Sequence, residues 1–415
     1  MSDAWFPEDS LTSDFTMVEL VIPAPAGRIR WNQVAATLAT ALKLDQASIE
    51  EKLPDGEFDL SSPAVSLSLL AINLTFGDRL SFSIAEEENG RTGLLVRCNA
   101  DLLPTGSGLA TDGMIKIHHD ADWLRLDPAR PLILCLHGLN GTYDSFDGLR
   151  QKLRSHGYAT AAVEYDCQRA IAVIAQGLSE VVGASLDSLP SRHALVLVGH
   201  SMGGLIGREW TNNPALNNQS IKGLITLGSP HRGSAWATLP PLMQLFANGE
   251  FEFAQVRDLI LHSPSSPALR DIAPGSAFLN ALNARTPRLD VRYTSVVGVG
   301  SPFDAATVGK IQQTFRDLQH RDGFVRLIRP RIEPLLGGFD ELVRGRGDGM
   351  VAVQSAAMCG TEDLVEVDLS HFALVRTPGD QRTTKRVFHP VWEVVLERVE
   401  SCHQRLRLNE SDVDR

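Results

Sequence analysis

Ala194-Leu195-Val196-Leu197-Val198 runs directly into Gly199-His200-Ser201-Met202-Gly203-Gly204, and the reading of that junction decides the fold. The uninterrupted apolar run predicts a strand buried on both faces, and a helix is expected from about Met202. A serine hydroxyl is a weak nucleophile, so it has to be presented to a base and to a substrate at once. A sharp strand-to-helix turn does this by holding Ser201 in a strained conformation with its hydroxyl exposed. Gly199 and Gly203 stand where a side chain would strike neighbouring backbone, and Gly204 lets the helix pack closely.

Outward from the junction, strands and helices alternate. Leu132 to Leu136 is a second continuous apolar run. Phe146, Leu149 and Leu153 form a helical stripe that stops at Gly157, and Ala159 to Val163 predicts the next strand. Between Arg169 and Leu186, Ile171, Ile174, Leu178 and Val182 share one helical face. Further strands are expected at Leu224 to Leu227, Val291 to Val297 and Leu364 to Val367. A closing helix follows from Pro390 to Leu406, with the proline in its first turn. Alternation at this spacing predicts an α/β architecture: a mainly parallel sheet covered by helices on both sides. Residues 235–290 and 301–345 interrupt the rhythm with short apolar helical pieces, among them Leu242, Leu245, Phe246, Phe251 and Phe253. Insertions of that length either cover a site or elaborate the surface, and such lengths are more often lids than plain connections.

The amino-terminal part has a different character. Val18 to Ile22 predicts a strand, Trp31 to Leu42 a helix carrying Val34, Leu38 and Leu42, and Val65 to Phe76, Leu80 to Ile84 and Gly93 to Cys98 three more strands. The expected organisation is a tail at 1–14, a small α+β domain at 15–105 whose residues suggest no chemistry, and a linker at 106–127. A catalytic domain at 128–400 follows, and then the end of the last helix with a tail at 401–415.

Composition bounds the function. The 415 residues carry 43% apolar and 21% charged side chains, 34 Gly and 22 Pro, which excludes a disordered, collagenous or disulfide-scaffold chain. A net charge of −11 argues against nucleic acid or anionic membrane as a partner. Cys98, Cys135, Cys167, Cys359 and Cys402 show no metal spacing and read as reduced, small core residues. Neither a signal peptide nor an apolar run long enough for a membrane span is present in the chain. The expected location is therefore cytoplasmic, or outside the cell if translation starts upstream.

A second motif, His137-Gly138-Leu139-Asn140-Gly141, follows the Leu132–Leu136 run. A tetrahedral intermediate needs two backbone N–H groups aimed at its oxyanion, and chain leaving a strand with glycine freedom can provide them. Leu139 N–H and Met202 N–H are the expected pair, with His137 structural. The two motifs, in this order, resemble the α/β-hydrolase superfamily, and more narrowly its lipase/esterase branch with a His-Gly-Xaa oxyanion turn. Gly228-Ser229-Pro230-His231-Arg232-Gly233-Ser234 adds to the likeness, which covers roughly residues 128–400. In such proteins the histidine at the place of His231 is structural.

The resemblance implies a triad in the chain order Ser, Asp, His. Asp348, in Gly347-Asp348-Gly349-Met350-Val351, resembles the lipase acid loop, where Asp-Gly precedes a small apolar segment ending in Ser, here Ser355. His371 lies directly after the last expected strand, where a base can be delivered on a loop. Asp304 is the alternative acid. Glu362 and Asp363 lie too early in their strand, and His389 sits at the entrance to the closing helix. Calcium-binding bacterial lipases usually have an Asp shortly after the triad histidine. Phe372, Ala373 and Leu374 follow His371 here, so no metal site is implied, and no cofactor.

The function expected is cleavage of a carboxylic ester through an acyl-enzyme, on a small-molecule ester or lipid. An acyltransferase using the same triad and a noncatalytic hydrolase-fold binding protein are the alternatives. The natural substrate and the oligomeric state are not legible in the sequence.

Overall fold

The computed structural model describes residues 17–24, 27–42, 46–47, 57–60, 80–86, 92–99, 115–120, 129–187, 193–235, 266–301, 303–306, 308–309, 312–313, 338–376 and 388–413. In the amino-terminal part, β1 (Met17–Pro23) leads to β2 (Arg28–Arg30), α1 (Trp31–Leu42), β3 (Glu57–Asp59), β4 (Leu80–Glu86) and β5 (Thr92–Asn99). β5 lies between β1 and β4, antiparallel to both, and β2 pairs with β3. Ile22, Ile29, Trp31, Val34, Ala35, Leu94 and Val96 are among its buried apolar residues. The strand expected at Val65 to Phe76 lies outside the described residues, as do residues 236–265, which hold most of the first insertion.

The rest of the chain builds one sheet. In order come β6 (Lys116–His119), β7 (Leu132–Leu136), α2 (Asp147–Ser155), β8 (Thr160–Glu164), α3 (Ile171–Asp187), β9 (Leu195–His200), α4 (Met202–Asn212) and β10 (Ile221–Leu227). They are followed by α5 (Pro267–Ile272), α6 (Ala277–Asn283), β11 (Arg292–Gly298), α7 (Val353–Ala356), β12 (Leu364–Val367) and α8 (Pro390–Val413). The strand order is β12-β11-β10-β9-β7-β8-β6. All neighbours are parallel except β6, which runs antiparallel to β8 at the edge.

Period-two alternation explains why the apolar runs are continuous. Leu132, Leu134 and Leu136 of β7 and Leu195 and Leu197 of β9 enter one core, with Ile174, Leu178 and Val182 of α3 and Leu205 and Ile206 of α4. Ile133, Cys135, Val196 and Val198 point the other way, onto Leu149 and Leu153 of α2 and Val391, Val395 and Val399 of α8. A strand with a helix layer on each face has no polar side, so each such residue contributes roughly 1.5–3 kcal/mol of burial. Gly157, at φ +79°, ends α2 as expected.

Two expectations are corrected. Lys116–His119 falls inside the stretch read as linker yet forms the edge strand β6. Four residues with one aliphatic side chain give no periodicity to read. The strand is held instead by Asp120, just after it, whose carboxylate accepts bonds from Arg150, Arg154 and both Thr160 N and Oγ1 at 2.7–3.1 Å. The second concerns the cysteines: Cys135, Cys167 and Cys402 are buried, but Cys359 is exposed. Cys98 falls among residues whose side chains lie outside the description.

The order of strands positions the site. β8 lies on one side of β7 and β9 on the other, so the chain switches direction at β7. Loops leaving the carboxyl ends of β7 and β9 therefore diverge around a crevice, the usual place for ligands in such sheets.

Candidate active site

Ser201 follows the last residue of β9 and has φ +52° and ψ −123°, a region that a non-glycine residue occupies at a cost of about 1–3 kcal/mol. Three glycines make room for it. A Cβ on Gly203 would stand 2.1 Å from Leu136 O, one on Gly199 2.4 Å from Gly204 N, and one on Gly204 2.0 Å from Ser229 Oγ. Ser201 N donates to Leu227 O at 2.9 Å, which ties the turn to the end of β10.

Asp348 and His371 come together at the same sheet edge. His371 Nδ1 lies 2.8 Å from Asp348 Oδ2, and both side chains are almost fully buried. Asp348 Oδ1 accepts from Met350 N at 2.9 Å and Val351 N at 2.7 Å, while His371 N donates to Asp348 O at 2.9 Å. Both carboxylate oxygens are therefore engaged, and the ring cannot swing without losing its partner. With Nδ1–H committed to Asp348, the imidazole lone pair is on Nε2. Gly228, at φ +58°, lies beneath the pair: a Cβ there would be 2.9 Å from Asp348 Oδ2 and 3.2 Å from His371 Nδ1. Leu227, the partner of Ser201 N, immediately precedes it.

The His137–Gly141 turn lies against Ser201. A Cβ on Gly138 would be 2.9 Å from Ser201 Cβ. Gly141 N donates to Gly138 O at 3.1 Å, and Asn140 adopts φ +56° at the tip, with its side-chain oxygen accepting from Gln168 Nε2 at 2.9 Å. Leu139 follows Gly138 in this turn. Met202 is the first residue of α4, where an N–H has no intrahelical acceptor. His137 is buried, bonds through Nδ1 to Gly138 O at 2.8 Å, and stacks on Tyr165 at 4.1 Å; the Tyr165 hydroxyl donates to His137 O. That is a packed, structural environment.

The other candidates lie elsewhere. His231 is fully buried with Nε2 3.2 Å from Thr226 Oγ1, and burial drives its pKa well below the ordinary histidine value. Asp304 and Glu362 are not part of the Asp348–His371 pair; Asp304 is exposed. Asp363 is held below the usual carboxylate range by its bonds to Arg398. His389 bonds to Ala373 O at 2.9 Å and stacks on Trp392.

Two contributors have no local sequence signal. His200 Nε2 donates to His371 O at 3.0 Å, with the rings 4.7 Å apart, so the residue before Ser201 fixes the backbone of His371. Glu341, almost fully buried, accepts from Ala235 N at 3.0 Å and lies 3.1 Å from Ser234 Oγ, while its carbonyl accepts from Gly349 N at 2.9 Å. It joins the Gly228–Ser234 loop to the loop of Asp348. Among the described residues, no cluster of His, Cys, Asp and Glu could hold a metal, and no helix is long and apolar enough to cross a membrane.

Comparison with known proteins gives partial matches. Residues 162–263 match the family described as PGAP1-like alpha/beta domain. A stretch of 81 residues is 41% identical to triacylglycerol lipase 2 of Saccharomyces cerevisiae, covering 20% of this chain and 24% of that protein. Another, of 129 residues, is 30% identical to homoserine O-acetyltransferase of Saccharomyces pastorianus, covering 28% and 24%. The matches thus span about a quarter of each curated relative. Among solved structures, the Bacillus licheniformis lipase BlEst2 in its propeptide form aligns over 68% of this chain and 53% of its own, at 18% identity and a TM-score of 0.45. Six parallel strands in this order, the strained serine turn between β9 and α4, and the family match across that turn make the part of the chain from β6 to α8 an α/β-hydrolase fold.

Proposed function

We propose that the protein is a serine hydrolase that cleaves carboxylic esters through an acyl-enzyme. The observation that carries this reading is the buried Asp348–His371 pair, with both carboxylate oxygens engaged, at the sheet edge where Ser201 stands strained. Ser201 Oγ attacks the ester carbonyl while His371 Nε2 takes its proton, and Asp348 stabilises the resulting imidazolium. Leu139 N–H and Met202 N–H hold the oxyanion; a donor of this kind is typically worth about 10²–10³ in rate. His371 returns the proton to the leaving alcohol, and water then releases the acid by the same steps in reverse. Apolar side chains in the two insertions and the lipase among the relatives favour a lipid or other hydrophobic ester.

A fluorophosphonate probe tests the reading, because it reacts with an activated serine and not with an inert one. One label per chain on Ser201 is expected, with none on Ser201→Ala and a fall in ester turnover of about 10⁶-fold. Labelling or esterase activity that survives Ser201→Ala would overturn it. The match to an acetyltransferase favours a second reading, in which an alcohol replaces water in the second half-reaction. A new ester formed when glycerol or a longer alcohol is added to the acylated enzyme would distinguish it from hydrolysis.

A further inference from the structure

A cavity of about 180 Å³ lies at the other edge of the same sheet, between the amino ends of the strands and α8. Val196 of β9 and Gly223 and Ile225 of β10 form its floor, and Arg292, Arg398 and Arg405 line it. The distance from Val196 to Ser201 along β9 is about 16 Å at the rise of a strand, so a ligand here does not touch the candidate active site.

The charges in this cavity do not cancel. Asp363 is the one carboxylate lining it among the described residues, and it is already saturated: Arg398 binds it through Nε at 2.7 Å and Nη2 at 2.9 Å, and Thr294 Oγ1 donates to it at 2.7 Å. Nearby, Lys222 is matched by Asp290 at 2.8 Å. The Arg292 and Arg405 side chains are exposed and, among the described residues, make no salt bridge or side-chain hydrogen bond, although the Arg292 charge lies close enough to Asp363 to add to the lowering of its pKa. Two guanidinium groups without a carboxylate of their own thus converge on one small concavity in a chain whose net charge is −11. Their spacing is built in. Arg292 begins β11 beside the floor strand β10, and Arg398, Cys402 and Arg405 fall on one face of α8, three and four residues apart. Like charges held together destabilise a fold unless an anion joins them. Guanidinium pairs suit a tetrahedral oxyanion, because each fork can offer two parallel N–H bonds. The volume, about six water molecules' worth, is enough for a phosphate with a short organic stub.

We infer that this cavity is a binding site for a phosphate group, held chiefly by Arg292 and Arg405 and separate from the ester-cleaving site. The source is either a soluble phosphate monoester or inorganic phosphate, or the headgroup of an anionic phospholipid. Inorganic phosphate, titrated into the full chain at constant ionic strength with chloride as the balancing salt, is the probe. The expected result is a saturable rise in Tm of about 1–3 °C that chloride does not reproduce. The Arg292→Ala/Arg405→Ala variant should lose that rise, with a Tm in chloride no lower than that of the wild type and the labelling rate of Ser201 kept. The change relieves like-charge repulsion and breaks no side-chain hydrogen bond shown among the described residues. Sedimentation with phosphatidylcholine vesicles containing phosphatidate separates the sources. Pelleting of the wild type beyond the double variant assigns the site to a lipid headgroup, and phosphate binding without it assigns a soluble ligand. A Tm that does not saturate with phosphate, or the same rise in the double variant, overturns the proposal.

Discussion

Asp348 is acceptor-only in its surroundings: two backbone N–H groups face Oδ1 and the His371 Nδ1–H faces Oδ2. Asp348→Asn keeps the shape but must present an amide NH₂ to one of those sides. With its oxygen retained by Met350 and Val351, the NH₂ opposes Nδ1 and selects the tautomer protonated on Nε2, which cannot accept a proton from Ser201. Turnover is expected to fall about 10⁴-fold with Tm nearly unchanged, and a steady-state assay beside a melting curve reads both; an active Asn variant would remove Asp348 from the mechanism. His231 gives a residue-scale prediction about stability instead. Burial, reinforced by the charge of Arg208, holds its pKa well below 6.5, and its Nδ1 has no hydrogen-bond partner among the described residues. The unfolded chain therefore binds a proton near pH 6.5 that the folded chain refuses. The stability due to neutral His231 is complete above pH 6.5 and is lost as pH falls toward the depressed folded value, by up to about 1.4 kcal/mol per pH unit. His231→Gln should flatten the unfolding free energy between about pH 6.5 and 5, measured by urea titration at each pH. Parallel curves for the two proteins would mean that the ring titrates normally. Legibility at this scale follows the range of the contacts. Ser201 and its glycines could be read because the turn is local. The bond from His200 to His371 O, between residues 171 positions apart, exists only once the sheet has formed.

The elements that could be read from the sequence are those whose burial is two-sided. β7 and β9 are buried at every position, so their apolar runs announce them, and Ile171, Ile174, Leu178 and Val182 mark α3 in the same way. β6 is the counterexample. Its Lys116-Ile117-His118-His119 is exposed or half-buried throughout, and its place depends on charge. Asp120 is buried with Arg150, which is almost fully buried itself, while Arg154 remains partly in solvent. Removing one partner of a buried pair strands the other charge, which typically costs about 3–5 kcal/mol. Asp120→Ala is therefore expected to destabilise the protein by that amount, whereas Arg154→Ala should cost about 0–1 kcal/mol. Equilibrium denaturation of the two variants decides it; equal effects would show that β6 is held by its backbone pairing alone. The Asp348 loop was half legible for a related reason. Its Asp-Gly pair stands out locally, but its attachment to Ser234 and Ala235 runs through Glu341 on a short 3₁₀ turn (Phe339–Leu342) that no apolar period announces.

At the scale of the whole molecule, the two larger sheets of the described residues share no strand pairing. The seven-stranded sheet is closed on both faces by helices, and its middle strands β7, β9 and β10 carry most of the fully buried aliphatic side chains that lie on the sheet itself. The three-stranded sheet β1-β5-β4 belongs to a unit with far fewer described buried apolar residues, of which Ile22, Leu94 and Val96 lie on its strands. Amide exchange requires a hydrogen bond to open, and the free energy of the smallest opening that frees it rises with the apolar surface which that opening lays bare to water. For β7 and β9 no small opening exists, because each strand is bonded on both edges and packed on both faces. Releasing them amounts to unfolding the sheet. β1 is bonded only to β5, so it can open with the larger sheet intact. Hydrogen exchange followed by mass spectrometry should therefore show two regimes: peptides from β1, β4 and β5 exchanging through a low-energy opening that depends weakly on denaturant, and peptides from β7, β9 and β10 exchanging only with global unfolding. Fluorophosphonate labelling of Ser201 should persist at denaturant concentrations where the first regime has opened, since Ser201 directly follows β9 and the proposed oxyanion turn follows β7, both strands of the second. If both sets of peptides exchange together at every concentration, the two sheets form a single cooperative unit and the amino-terminal one is part of what holds the serine turn in place.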